Sequence, residues 1–172
     1  MKGMIVVRAE RCVGCKTCEL ACAVEHSSSK DIYEAINESP APTARVDVSM
    51  GEGFAIPLQC RQCADAPCIE ICPRSALSRT DDDSPVRLDR ELCTGCRWCV
   101  LACPYGMITF EEEARKAVKC DQCIERLDRG DLPACVLACP TRALVFRTLD
   151  EAVGGKREGF LVKIACSGDE SK

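Results

Sequence analysis

The sequence predicts an α+β fold in which one small unit, strand–loop–helix–strand, recurs four times. Three observations predict it. Sixteen of the 17 cysteines fall into four quartets, over 12–22, 60–72, 93–103 and 120–139. Short β-prone runs flank these quartets, such as Met4-Ile5-Val6-Val7, Val86-Arg87-Leu88-Asp89 and Ala143-Leu144-Val145-Phe146. Aromatic residues make up only 4% of the 172 residues, so the apolar core is thin and needs another source of cohesion.

The third quartet, Cys93-x2-Cys96-x2-Cys99-x3-Cys103-Pro104, has the spacing that holds cubane iron–sulfur clusters in bacterial ferredoxins. Three thiolates two residues apart curl round one corner of a [4Fe–4S] cube. The fourth lies a helical turn further on, faces away and must serve a different cluster. Pro104 then stops the turn and offers no N–H. The first quartet, Cys12, Cys15, Cys18 and Cys22, repeats the spacing but is followed by Ala23, and Gly14 loosens its loop. In the second, Cys60, Cys63, Cys68 and Cys72 precede Pro73, and the middle gap lengthens to four residues. In the fourth, Cys120, Cys123, Cys135 and Cys139 precede Pro140, and the gap of eleven holds a charged helical insert, Glu125–Gly130. All sixteen are assigned as ligands of four [4Fe–4S] clusters. Two units make one bacterial-ferredoxin-like βαβ-βαβ domain whose two clusters share cysteines crosswise. Four units therefore imply two such domains in one chain, with connecting loops. Zinc sites use separated cysteine pairs and do not suit these triples. A disulfide scaffold is disfavoured by the spacings and the odd count.

Between the quartets, Glu19–Glu25 reads as a helical turn or two, and His26, the single histidine, as its solvated end. Ser27–Gly53 reads as a loop with a short helix near Ile32–Ile36 and a strand at Arg45–Val48. It serves as a connection as readily as a cover for a cluster. Lead-in strands are expected at Val86–Asp89 and Ala117–Lys119, with an exit strand at Ile108–Phe110. Asp81-Asp82-Asp83 is a solvated turn, and Trp98 is expected to pack over a cluster and shield it. Gly159–Ile164 is a strand or docking segment, Cys166 a bystander thiol, and the last six residues fray.

The formal charge is −4; four clusters at about −2 each bring the loaded protein to about −12. Nucleic acid is excluded as a partner on that balance, and basic partner surfaces are favoured. Met4–Val7 is too short for a secretion signal, and no stretch approaches the roughly 18 apolar residues that span a membrane. A cytoplasmic, reducing compartment is expected, with export on a partner's signal as the alternative. No nucleophile triad, phosphate loop or dinucleotide fingerprint is visible, so the chain is expected to move electrons without itself being an enzyme.

From Met4 to about Phe146 the chain resembles the four-cluster ferredoxin subunits of complex iron–sulfur oxidoreductases, in both the four-residue and the eleven-residue gap. That family includes the electron-transfer subunits of dimethyl sulfoxide reductase, formate dehydrogenase and formate hydrogenlyase. Cys18-Glu19-Leu20-Ala21-Cys22-Ala23-Val24-Glu25-His26-Ser27 looks most like the CO-dehydrogenase-associated ferredoxins and the ferredoxin subunit of tungsten aldehyde oxidoreductases. The resemblance implies nested pairing. One cluster takes Cys12, Cys15, Cys18 and Cys139, and its neighbour takes Cys120, Cys123, Cys135 and Cys22. In the other domain Cys60, Cys63 and Cys68 join Cys103, while Cys93, Cys96 and Cys99 join Cys72. The first domain is then 1–55 plus 115–172, and the second 56–114. The implied function is electron relay between another carrier and a catalytic subunit of tungsten or molybdenum aldehyde or formate oxidoreductase, CO dehydrogenase or hydrogenase type. Further copies of the chain, forming an oligomeric wire, or a flavin- or NAD-linked subunit are the other partners it allows. Two rivals from other classes are an iron–sulfur storage or maturation protein and a cluster-based redox sensor.

Overall fold

Eight short strands, seven α-helices and one 3-10 turn (Ala9–Arg11) are tied by turns around the cysteines in the computed structural model, which describes residues 3–167. The strands pair only in twos. β1 (Met4–Val7) runs antiparallel to β8 (Leu144–Arg147), with Met4 opposite Arg147, so the first and last quartets share one sheet. β2 (Val46–Gly51) and β3 (Phe54–Gln59) form a hairpin with Val46 opposite Gln59. β4 (Leu77–Ser78) pairs with β5 (Arg87–Leu88), and β6 (Ile108–Glu111) with β7 (Lys116–Lys119).

Helices follow the cysteine loops. α1 (Thr17–Glu25) packs on α6 (Ala134–Leu137), and α3 (Pro67–Glu70) on α4 (Trp98–Ala102). Pro67 opens α3, where its missing N–H has no helical acceptor to lose. α5 (Ile124–Asp128) is the charged insert, ended by Gly130 at φ +86°. α2 (Ile32–Ala35) lies in the cysteine-free loop, capped by Asp31, whose carboxylate accepts from the Tyr33 and Glu34 amides.

Two apolar cores result. One gathers Ile5, Val46, Val48, Ala55, Val136 and Leu144 with Cys18, Cys22 and Cys135. The other gathers Ala66, Leu77, Val86, Ile108 and Ala117 with Cys68 and Cys99. Cysteines stand in both where a larger domain would place aliphatic side chains. The 27–53 loop belongs to the first core through Val46 and Val48.

One expectation is corrected here. Of the two alternatives for Gly159–Ile164, the strand is wrong: the segment is part of α7 (Leu149–Ser167). The helix starts from a reciprocal cap: the Thr148 amide donates to Glu151 Oε2 at 2.9 Å, and the Glu151 amide to Thr148 Oγ1 at 3.3 Å. Those hydrogen bonds hold the exposed Glu151 carboxyl below its ordinary pKa. With the first turn nucleated there, the helix runs through the β-prone Phe160-Leu161-Val162. The expectation for the Cys166 thiol falls on a side chain outside those described, and the terminus expected to fray lies past the described residues, after Ser167. No helix among the described residues is long and apolar enough to cross a membrane.

Candidate metal centres

Each quartet is built by left-handed backbone at fixed places. The residue before the second cysteine is left-handed in all four loops: Gly14 (φ +68°), Gln62 (φ +50°), Gly95 (φ +73°) and Gln122 (φ +59°). One of these must be glycine for space as well: a Cβ at Gly95 would strike the Arg115 carbonyl oxygen, whereas one at Gly14 would meet only the end of the exposed Met50 side chain, which can move aside. Gln62 and Gln122 hold the same conformation with a side chain in place.

The fourth cysteine follows a second rule. After Cys72, Cys103 and Cys139 comes proline, and three residues on the backbone is left-handed at Ser75, Gly106 and Arg142. This turns the next amide onto the sulfur: Ala76 N–H donates to Cys72 Sγ at 3.3 Å, Met107 to Cys103 at 3.4 Å, and Ala143 to Cys139 at 3.1 Å. Burial pushes the Cys72 and Cys139 thiols up, but the amide donors outweigh it and both end below their ordinary pKa. Such donors favour thiolate, the form that binds metal.

Cys22 departs from the rule. With Ala23 in place of proline, α1 continues to Glu25. The amide that reaches Cys22 Sγ comes instead from Arg45, at 3.2 Å. His26 closes the same region. Its Nδ1 lies 2.8 Å from the Cys22 carbonyl oxygen and its Nε2 3.3 Å from Asp121 Oδ1, while Arg45 Nη1 donates to Asp121 Oδ2 at 2.7 Å. The expected solvated helix end is therefore wrong: the His26 side chain is only 12% exposed. Burial disfavours its charge, but hydrogen bonds to Asp121, Cys123 and Cys22 raise its pKa to about 12. Asp121 is held well below the carboxylate range, where the His26 hydrogen bond and Arg45 overcome burial. The partners lie 76 and 95 residues apart along the chain, beyond any local sequence signal.

The structure brings the cysteines together in four groups. Cys60, Cys63, Cys68 and Cys103 line one cavity. Cys72, Cys93, Cys96 and Cys99 line a second, and Cys12, Cys15, Cys18 and Cys139 a third. Cys22, Cys120, Cys123 and Cys135 gather deepest, and each of the other three opposes ionisation of Cys135. Burial drives the Cys18 and Cys99 thiols to about 11 and Cys120 to about 12. A buried thiolate is sustained only by positive charge beside it. All-thiolate donor sets with amide donors suit iron–sulfur clusters, so the residues present fit that group. Trp98 does not shield its neighbours as expected. It is 54% exposed and absent from the cavity its loop encloses, because it starts a helix whose buried side is Cys99.

Comparison with known proteins agrees with the donor set. The 4Fe-4S dicluster domain matches residues 52–149, and a 4Fe-4S binding domain matches residues 9–25. An "Iron-sulfur protein" of Rhodospirillum rubrum is 40% identical over 176 residues, covering 95% of this chain and 92% of its own. "Electron transport protein HydN" of Escherichia coli is 38% identical, covering 84% of this chain and 87% of its own. One subunit of the anaerobic dimethyl sulfoxide reductase of the same organism is 35% identical, covering 92% and 78%.

Proposed function

The chain belongs to the 4Fe-4S ferredoxin family of oxidoreductase electron-transfer subunits, and from that premise we propose how its residues carry electrons and where. Four [4Fe–4S] clusters are bound, each able to take up and release one electron. The proposed ligand sets are Cys12, Cys15, Cys18 with Cys139; Cys22 with Cys120, Cys123, Cys135; Cys60, Cys63, Cys68 with Cys103; and Cys72 with Cys93, Cys96, Cys99. The observation that carries this is the grouping of twelve of those cysteines about three shared cavities, with the other four buried beside one another.

Two bacterial-ferredoxin-like units follow, each holding two sites and one apolar core. Their seams are best drawn at the hairpins, after Gln59 and after Lys119, since β2–β3 and β6–β7 each stay within one core. This moves the sequence-based seams at 55/56 and 114/115 by a few residues.

Exposure sets the route. Cys15 and Cys96 are the exposed members of the sixteen, while Cys120, Cys123 and Cys135 are buried. The Cys15 and Cys96 sites therefore exchange electrons with partners, and the Cys120 and Cys60 sites pass them through the middle. One partner is a catalytic oxidoreductase subunit; the other is a second carrier or another copy of this chain. The buried ligands also argue against storage or sensing, which need clusters that leave readily.

The test is anaerobic. Purified protein should hold about 16 iron and 16 sulfide per chain, accept four electrons per chain by coulometry, and keep its iron in the presence of a chelator. Iron near half that figure, zinc as the main metal, or rapid loss to the chelator would overturn the assignment.

A further inference from the structure

Lys119 has no role in the ligand sets above, yet it is among the most buried charged residues of the chain. It is 3% exposed, at the end of β7 and immediately before Cys120. Its Nζ lies 2.9 Å from the Val86 carbonyl oxygen, 2.8 Å from that of Cys120 and 3.5 Å from Gln62 Oε1. Three acceptors for three N–H donors is the arrangement of an ammonium. All three are uncharged, and none of the ion pairs among the described residues includes Lys119. A buried charge without a counter-charge is costly, so an anion must stand nearby when the protein is loaded.

Two candidates for that anion exist, one on each side. Lys119 lines the cavity of Cys60, Cys63, Cys68 and Cys103. Through the Cys120 carbonyl it also touches the group of Cys22, Cys120, Cys123 and Cys135. Gln62 fastens the two sides together: it sits between Cys60 and Cys63, and its Nε2 donates to the Cys120 carbonyl oxygen at 3.0 Å. Its Oε1 accepts from the Val86 amide at 2.9 Å.

We propose that Lys119 is a single buried cation shared by the two middle cluster sites, raising the reduction potentials of both and holding them close to each other. This rests on the ligand sets proposed above. Lys119 lines the same cavity as Cys68, and its Nζ bonds the carbonyl oxygen of Cys120. The ammonium thus stands beside ligands of both sites. An electron that leaves one middle site and enters the other oxidises the first by one charge and reduces the second by one. It remains beside the same ammonium throughout, so no proton or ion has to move with it. Lys119 favours an electron on either side and gives the transfer no direction.

The experiment uses the full chain loaded anaerobically, with Lys119→Gln and Lys119→Met removing the charge and Lys119→Arg keeping it. Iron content is measured first, then redox titration followed by electron paramagnetic resonance. In the neutral variants two of the four couples should fall together, each by at least a tenfold change in its one-electron equilibrium, 59 mV. The arginine variant should leave all four within half of that shift. Four unmoved couples, or a single shifted one, would overturn the shared cation while leaving electron relay intact. Wild-type protein lacking about 16 iron would instead overturn the ligand sets. If the neutral variants lose iron, Gln62→Glu sets a carboxylate against the ammonium without removing it. Two couples lowered together would then support the proposal, and any other pattern would overturn it.

Discussion

Cys22 and Cys139 end the two quartets of the same unit, and their sulfurs are served in opposite ways. Cys139 is followed by proline, and an amide four residues away reaches its sulfur. Cys22 is followed by alanine, its helix runs on, and the amide comes from Arg45, 23 residues away. A local turn does the work in one case, and a distant loop in the other. The comparison explains why 27–53 is more than a connection. Glu38 anchors its start by accepting from the Ser28 and Ser29 amides, and Glu19 of α1 accepts from the Val48 amide at 2.5 Å. At the other three sites the amide four residues on already reaches the sulfur, so no distant loop is needed.

Converting the first quartet to the proline form breaks the comparison most severely. Ala23→Pro removes a helical hydrogen bond from α1 and crowds the Glu19 carbonyl, costing about 3 kcal/mol or more. It should also pull His26 off Asp121. Anaerobic preparations should lose iron, with the Cys120, Cys123 and Cys135 thiols becoming reactive to alkylation first. Full iron content in this variant would mean that the continuing helix is dispensable.

A milder break acts on the loop's anchor. Asp121→Ala leaves Arg45 and His26 without their shared carboxylate, a loss of about 1.5–3 kcal/mol for hydrogen bonds to charged groups. The denaturant midpoint, measured without oxygen, should fall accordingly, and Asp121→Asn should fall less.

The smallest effect is expected from the reverse change. Pro140→Ala frees the unfolded chain by about 0.4–1 kcal/mol, but β8 still fixes the Ala143 amide against Cys139. Iron content should stay at the wild-type figure.

The same contrast separates what the sequence disclosed from what it withheld. Cysteine spacing, trailing prolines and Gly14 are local signals, and they located the loops and most flanking strands. The Thr148–Glu151 cap was equally local, a Thr-x-x-Glu signature from which α7 could have been read. His26 could not be placed from sequence, because its burial depends on Asp121 in the last quartet. Lys119 looked like one more strand residue, since its three acceptors come from three separate segments. Left-handed Gln62, Gln122, Ser75 and Arg142 carry no sequence mark of their conformation.

Crosswise sharing of the fourth cysteine is the central claim, and Cys103→Ala tests it most directly. Cys103 belongs by sequence to the Cys93 loop but stands in the cavity of Cys60, Cys63 and Cys68. Iron positions can be read from anomalous scattering in anaerobic crystals of the variant. Iron should be missing, one atom or the whole cluster, from the site of Cys60, Cys63 and Cys68, with four irons retained at Cys93, Cys96 and Cys99. Iron missing from the Cys93 site, with the Cys60 site complete, would contradict the arrangement.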